Sequence, residues 1–345
     1  MRQILLIVLG LVFLIVAESA LAKATTFKIA TIAPENSQWM IELKAASEII
    51  TERTEGRVKL KFYGGGVMGN DKKVLRKIRI GQLQGGAFTA SGLAERYPDI
   101  VLYGLPMAFQ SQEEVDYVRE RMDPVLLAGL EEAGFISFGF AGGGFAKLMG
   151  SEPVTDLKEL RGRKVWVPEG DPISYQAMEA MNLSPVVLPL TDVLTGLQTG
   201  LLEYVATPPV GAVILQWYTK VDYVMTLPFA YSMGTLVIDK RAFSRISESD
   251  QTVVREMLTD IYSRFEQRAR IDDRGAEEAL RDSGLEFVDA DPALVPEWRA
   301  IAAASNRRMA EEGLLSVELM DTMLGYIEEL HNGSSVDQAA PNSAR

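Results

Sequence analysis

Leu160-Arg161-Gly162-Arg163-Lys164-Val165-Trp166-Val167-Pro168-Glu169-Gly170-Asp171-Pro172 begins the stretch on which the fold turns. A glycine turn leads into an apolar run over Lys164 to Val167, which predicts a short strand, and the two prolines that follow close it. Next come a helix near Ile173 to Met181, a strand over Pro185 to Leu188 and a helix from Thr191 to Thr199 stopped by Gly200. A strand from Leu201 to Ala206 then enters Thr207-Pro208-Pro209-Val210-Gly211. Strands and helices alternating this tightly call for parallel or mixed sheets covered by helices.

The same alternation extends toward the N-terminus. Phe27 to Ile32 reads as a strand, and Trp39, Leu43, Ala46 and Ile50 then mark one face of a helix that Gly56 closes. Val58, Leu60 and Phe62 alternate with basic residues as in a half-buried strand. The glycines Gly64 to Gly66 precede a basic helix from Asp71 to Ile80, and the strand Phe135 to Phe140 enters a loop at Gly142, Gly143 and Gly144. Beyond Ser249 a long amphipathic pattern (Val254, Leu258, Ile261, Phe265, Ala269) runs to Gly284, and a further helix spans Val317 to Leu330. No repeat or low-complexity linker separates two halves, so two lobes would be joined by crossing strands and helices, an arrangement suited to a hinge. The expected division is residues 23–146 plus about 235–275 for lobe I and 147–234 plus about 276–330 for lobe II, with 331–345 a polar, disordered tail.

The first residues speak for export. Arg2 precedes the apolar run Ile4 to Ala17, and Glu18, Ser19, Ala20, Leu21 and Ala22 follow it. A basic start, a short apolar core and a small-x-small site make residues 1–22 a signal peptide, cleaved after Ala22 and directing the chain to the periplasm. A membrane anchor needs about 20 apolar residues, more than this run supplies.

Composition removes most chemistry. The 345 residues include no cysteine and one histidine, with 35 Lys+Arg against 47 Asp+Glu and a formal net charge of -12. That excludes disulfides, thiolate nucleophiles and Cys-ligated metals, and the lone His331, read as a solvated helix-end residue, leaves no histidine triad or multi-histidine metal site. The acidic balance argues against nucleic acid as a partner. Carboxylate pairs remain at Glu113/Glu114, Glu131/Glu132, Asp272/Asp273 and Glu277/Glu278, but neighbours on a helix diverge, and solvated faces explain them better than acid/base couples. The glycine clusters lack both the phosphate-loop and the dinucleotide patterns. The chain reads as a binding protein, not an enzyme, without cofactor or metal.

Several motifs in register sharpen this. Besides the 160–211 stretch, Val67-Met68-Gly69-Asn70-Asp71, Ile80-Gly81-Gln82-Leu83, Tyr97-Pro98, Leu105-Pro106 and Gly196-Leu197-Gln198-Thr199-Gly200 occur in an order that resembles the DctP-type substrate-binding proteins of tripartite ATP-independent periplasmic (TRAP) transporters, from Ile29 to about Met320. The resemblance implies two α/β lobes joined by strands and a long helix, with a small organic ligand trapped between them and handed to the membrane permease subunits. An alternative is an exported carrier that serves another periplasmic protein, such as a helical-repeat partner.

The resemblance also implies a departure. Where the family carries an arginine that pairs with a substrate carboxylate, this chain has Trp166, and where it has asparagine before proline, this chain has Thr207. An indole offers an apolar face and one N–H in place of a charged fork. Matching ligand-facing positions are Trp39, Phe88, Thr89, Leu190 and Pro208, mostly apolar. The expected ligand is thus fairly apolar or weakly acidic, unless a one-residue shift of the strand brings Arg161, Arg163 or Lys164 into the site.

Overall fold

The computed structural model describes residues 24–339. Its strands are β1 (Thr25–Ala30), β2 (Val58–Tyr63), β3 (Gly85–Thr89), β4 (Phe135–Ser137), β5 (Ala141–Gly150), β6 (Val165–Pro168), β7 (Pro185–Leu188), β8 (Tyr204–Thr207), β9 (Tyr223–Met225), β10 (Ala230–Asp239) and β11 (Glu286–Val288). Apart from short helical turns, the helices are α1 (Gln38–Arg53), α2 (Asp71–Arg79), α3 (Gln112–Glu132), α4 (Pro172–Ala180), α5 (Val193–Thr199), α6 (Pro209–Ile214), α7 (Glu248–Asp282), α8 (Val295–Glu311) and α9 (Val317–Ala339).

Eight of the strands form one ladder in the order β2-β1-β3-β10-β5-β8-β6-β7, with β4 paired to β10, β9 to β5 and β11 to β9. β1 pairs in parallel with β2 and β3 in lobe I, as β6 does with β7 and β8 in lobe II. The two ten-residue strands β5 and β10 run antiparallel between these groups. Residues 141–146 of β5 lie on β10, and residues 147–150 on β8, so one strand belongs to both lobes. The third connection is α7, which at 1.5 Å per residue is about 52 Å long. Val254, Leu258, Ile261 and Phe265 bury its first half in the core of lobe I, while Leu280 enters that of lobe II. Its buried apolar positions keep helical spacing from Val254 to Phe265 and again at Ala276 and Leu280, which is why a long amphipathic helix was legible there.

The glycines at 142–144 are not a loop. They lie within β5 opposite a register shift between Ser232 and Met233, a bulge in which Gly144 takes φ +90°. A Cβ on Gly142 would stand 2.1 Å from the Tyr231 hydroxyl, and one on Gly144 2.7 Å from the Asp273 carboxyl. Glycine is required here by close approach of neighbouring elements.

The C-terminal region also departs from expectation. Residues 331–339 continue α9 instead of opening a disordered tail, and residues 340–345, like the signal segment 1–22, lie outside the described residues. His331 is not merely solvated: its Nε2 stands 2.8 Å from Oε1 of Glu114, which is 3% exposed and is therefore no solvated-face residue either. Met320, Met323 and Ile327 of α9 share a core cluster with Val115, Met122 and Leu126 of α3, so this helix packs on lobe I and not on lobe II. The crossing happens at α8, whose Trp298 and Ala302 face the lobe II core while Met309 and Ala310 reach that of lobe I.

Candidate functional site

The C-terminal ends of the parallel strands point into the space between the lobes. Thr31 follows β1, Thr89 ends β3, Pro168 ends β6, Pro189 follows β7 and Thr207 ends β8, and all five line one cavity of about 400 Å³. Open α/β sheets bind ligands at such strand ends, because the chain turns there and backbone and short side chains face outward. The middle strands complete the walls with Ala141, Gly143 and Ala146 from β5 and Ala230 to Thr235 from β10.

All seven sequence-chosen residues, Trp39, Phe88, Thr89, Trp166, Leu190, Thr207 and Pro208, line this cavity. They are held in different ways. Trp39, in the first turn of α1, stacks on Phe265 of α7 with ring centroids 5.2 Å apart and planes 13° from parallel. Trp166 is 4% exposed, meets Trp217 edge to face at 5.2 Å and donates its Nε1–H to the Leu188 carbonyl at 2.9 Å. Its one polar valence is therefore spent inside lobe II, and it turns carbon toward the cavity. The Thr89 hydroxyl shares a hydrogen bond with Ser91 at 3.2 Å, and the Thr207 hydroxyl lies over Gly211, where a Cβ would come within 2.6 Å.

The strand register leaves no room for the alternative cation. Val165 and Val167 are fully buried, Lys164 Nζ donates to the Gly200 carbonyl at 2.7 Å, and Arg163 pairs with Glu152 and Glu203. No arginine lines the cavity among the described residues; its charged lining is Asp71, Lys72, Glu169 and Asp171. Arg119, in hydrogen-bond contact with Tyr231 behind the wall, is neutralised by Asp123 at 2.9 Å and Glu266 at 2.7 Å.

The lobes touch across the mouth. Asn70 Nδ2 donates to Glu169 Oε2 at 2.7 Å, and a Cβ on Gly66 would meet the Thr191 methyl at 3.1 Å. Burial, and then the Glu169 charge, push the Asp71 carboxyl up to about 6. Burial also raises Asp171, although hydrogen bonds from the amide and hydroxyl of Ser174 oppose it. These acids, with Ser91, Ser174, Tyr231 and Ser232, line the cavity without having been singled out from sequence. Their strand-end or helix-start positions were the available signal.

The family description "bacterial extracellular solute-binding protein, family 7", the DctP family, matches residues 29–312. The chain belongs to that family. It is 22% identical over 319 residues to the C4-dicarboxylate-binding periplasmic protein DctP of Rhodobacter capsulatus, covering 90% of this chain and 94% of that one. A solute-binding protein of Roseobacter denitrificans is 23% identical over 283 residues, 80% of this chain and 85% of its own length. Among solved structures, the sugar acid binding protein of Advenella mimigardefordensis in complex with galactonate is similar with a TM-score of 0.81 at 16% identity, over 89% of this chain and 99% of that one. The Bordetella pertussis solute receptor DctP7, binding pyroglutamic acid, gives 0.80 at 19% identity, covering 88% and 100%. This DctP-family protein is thus a two-lobed substrate-binding component of the TRAP class and not an enzyme. Membership favours transport over the role of a carrier for another periplasmic protein. No helix among the described residues is long and apolar enough to cross a membrane.

Proposed function

We propose that this DctP-family protein is exported with cleavage after about Ala22 and captures a solute more apolar than the sugar acids and small acids of its structural neighbours, delivering it to the TRAP permease subunits. The observation that carries this reading is the charge of the cavity wall: three carboxylic acids, one lysine and no arginine among the described residues. A bidentate guanidinium is the side chain best matched to a carboxylate, and a buried anion without one would forfeit about 2–5 kcal/mol. Trp166, standing where the family resemblance implies that arginine, offers carbon instead. Trp39, Phe88, Leu190 and Pro208 supply further apolar contact, and Thr89 and Thr207 supply hydroxyls.

The expected cycle is capture between open lobes, then closure about β5, β10 and α7, with Asn70 and Glu169 meeting as the mouth shuts. Lobe I would comprise residues 23–146 with about 235–275, and lobe II 147–234 with the chain from about 276 to α8, while α9 returns to lobe I. Purification without refolding, followed by native mass spectrometry and extraction of the bound molecule, tests the reading. A predominantly apolar or monoacidic solute is expected; a densely polar dicarboxylate or sugar acid would overturn it.

A further inference from the structure

One end of the cavity is polar and the other is carbon, and a single helix carries both. Ser174, Ala177, Met178 and Met181 line it at the i, i+3, i+4, i+7 spacing of one face of α4 and its C-terminal cap. At the start of α4, Asp171 caps the helix by accepting from the Ser174 amide at 3.0 Å and the Ser174 hydroxyl at 2.8 Å. About 10 Å farther along the axis stand the two methionines. Around them Leu157, Leu160, Val165 and Leu183, each 6% exposed or less, carry no polar side-chain atom.

These three leucines and one valine belong to the core of lobe II. Protein cores are close-packed, and a void that runs into one destabilises it in proportion to its volume. A cavity extending into this core is therefore stable when an apolar group occupies it. Methionine side chains at the entrance suit a flexible occupant, since they repack at little cost. The mouth, with Asp71, Glu169 and Asp171 against Lys72 alone, disfavours an anionic head and offers acceptors to a donor.

We infer that the α4 compartment takes the hydrocarbon tail of a single-chain amphiphile whose uncharged, hydrogen-bond-donating head, an alcohol, stays at Asp71, Asp171 and Ser174. The inference rests on the apolar-solute reading above and adds the tail, its place and the head.

A chain-length series tests it on the intact mature protein. Hexanol, octanol, decanol and dodecanol are titrated by calorimetry, beside decanoate and succinate. Affinity should rise about fourfold per methylene until the compartment is full and then level off. Decanol should bind more tightly than decanoate. Ala177→Phe, which fills the compartment, should bring the plateau to a shorter chain and weaken dodecanol more than hexanol. Met181→Trp gives the same reading should Ala177→Phe fail to fold. Alcohols that bind with no dependence on length, or a plateau that neither variant moves, would overturn the tail site while leaving an apolar ligand in place. Decanoate binding more tightly than decanol would overturn the head assignment. Succinate binding without any alcohol would overturn both this inference and the reading beneath it, and binding of neither would overturn the inference alone.

Discussion

Trp39 and Trp166 stand on opposite walls of one cavity and are held by different means. On the lobe I wall, Trp39 is half-buried and leans one ring face on Phe265 of the crossing helix α7. On the lobe II wall, Trp166 is sealed among Met149, Val193, Leu202, Val205 and Trp217, with its N–H bound to Leu188. Trp166 is thus tied into lobe II by a hydrogen bond and a ring contact, whereas Trp39 packs on the part of α7 that lies in the core of lobe I. Two residues of one type, both lining the cavity, are thus held to different depths.

The largest effect that would separate these walls is Trp166→Ala. It should cost about 3–5 kcal/mol, as expected for truncating a large buried aromatic, and lower the denaturant midpoint accordingly. Trp39→Ala should cost only about 1–2 kcal/mol, the scale of one aromatic pair and its partial burial, but should weaken ligand binding more than any stability loss accounts for. Unfolding curves and calorimetry on both variants would break the comparison if the order were reversed.

The mouth between the walls supplies a smaller, pH-dependent effect. The Asp71 carboxyl is pushed up to about 6, above its ordinary value, by burial and by Glu169. An acid whose folded pKa is raised binds more protons folded than unfolded, so stability increases as pH falls through about 6 toward the ordinary carboxylate range. Asp273, which accepts from the Val210 amide beside the Gly144 bulge, is also raised to about 6 by burial and acts in the same direction. Thermal melting across this range should show the rise, and Asp71→Asn should remove part of it. A protein that lost stability over the same fall in pH would refute the assignment.

The smallest effect concerns the contact between the walls. Asn70→Ala removes the hydrogen bond to Glu169 across the mouth, worth about 1 kcal/mol, and should weaken ligand affinity about fivefold; because Asn70 also caps α2 by accepting from the Lys73 amide, it should lower stability by about 1 kcal/mol as well, whereas Glu169→Ala should weaken affinity alike and leave that cap intact. An unchanged Kd would mean that this bond does not contribute to closure.

Much of the fold was legible because its signals are local. The strand Pro185–Leu188 lies where its apolar run and bounding prolines put it, and α7 follows a pattern whose apolar face runs from Val254 to Phe265 and returns at Ala276 and Leu280. The strand after Gly200 starts later than its apolar residues suggest, since Gly200 adopts φ +70° and Leu202 turns back to bond the Gly196 carbonyl. β10, which crosses between the lobes, was missed although Tyr231, Met233 and Thr235 alternate and Leu236 to Ile238 form an apolar run; its pairing with β3 and β5 could not be read from one segment. In the site, the seven chosen residues came from the family resemblance, while Asp71, Asp171 and Ser174 were missed as cavity residues because their side chains read equally well as ordinary helix starts.

By itself the sequence determined the alternation of strands and helices, the removal of thiol and histidine chemistry, and the membership that Val165, Pro168 and the Leu197-Gln198-Thr199-Gly200 run carry, since each depends on residue type and spacing along one segment. Only the tertiary structure decided that Trp166 spends its N–H on Leu188, that His331 meets Glu114, that the glycines of β5 form a bulge against Tyr231 and Asp273, and that the cavity runs under α4 into the core of lobe II. Each of those depends on groups brought together from distant parts of the chain, and burial and hydrogen-bond partnership exist only once they have met.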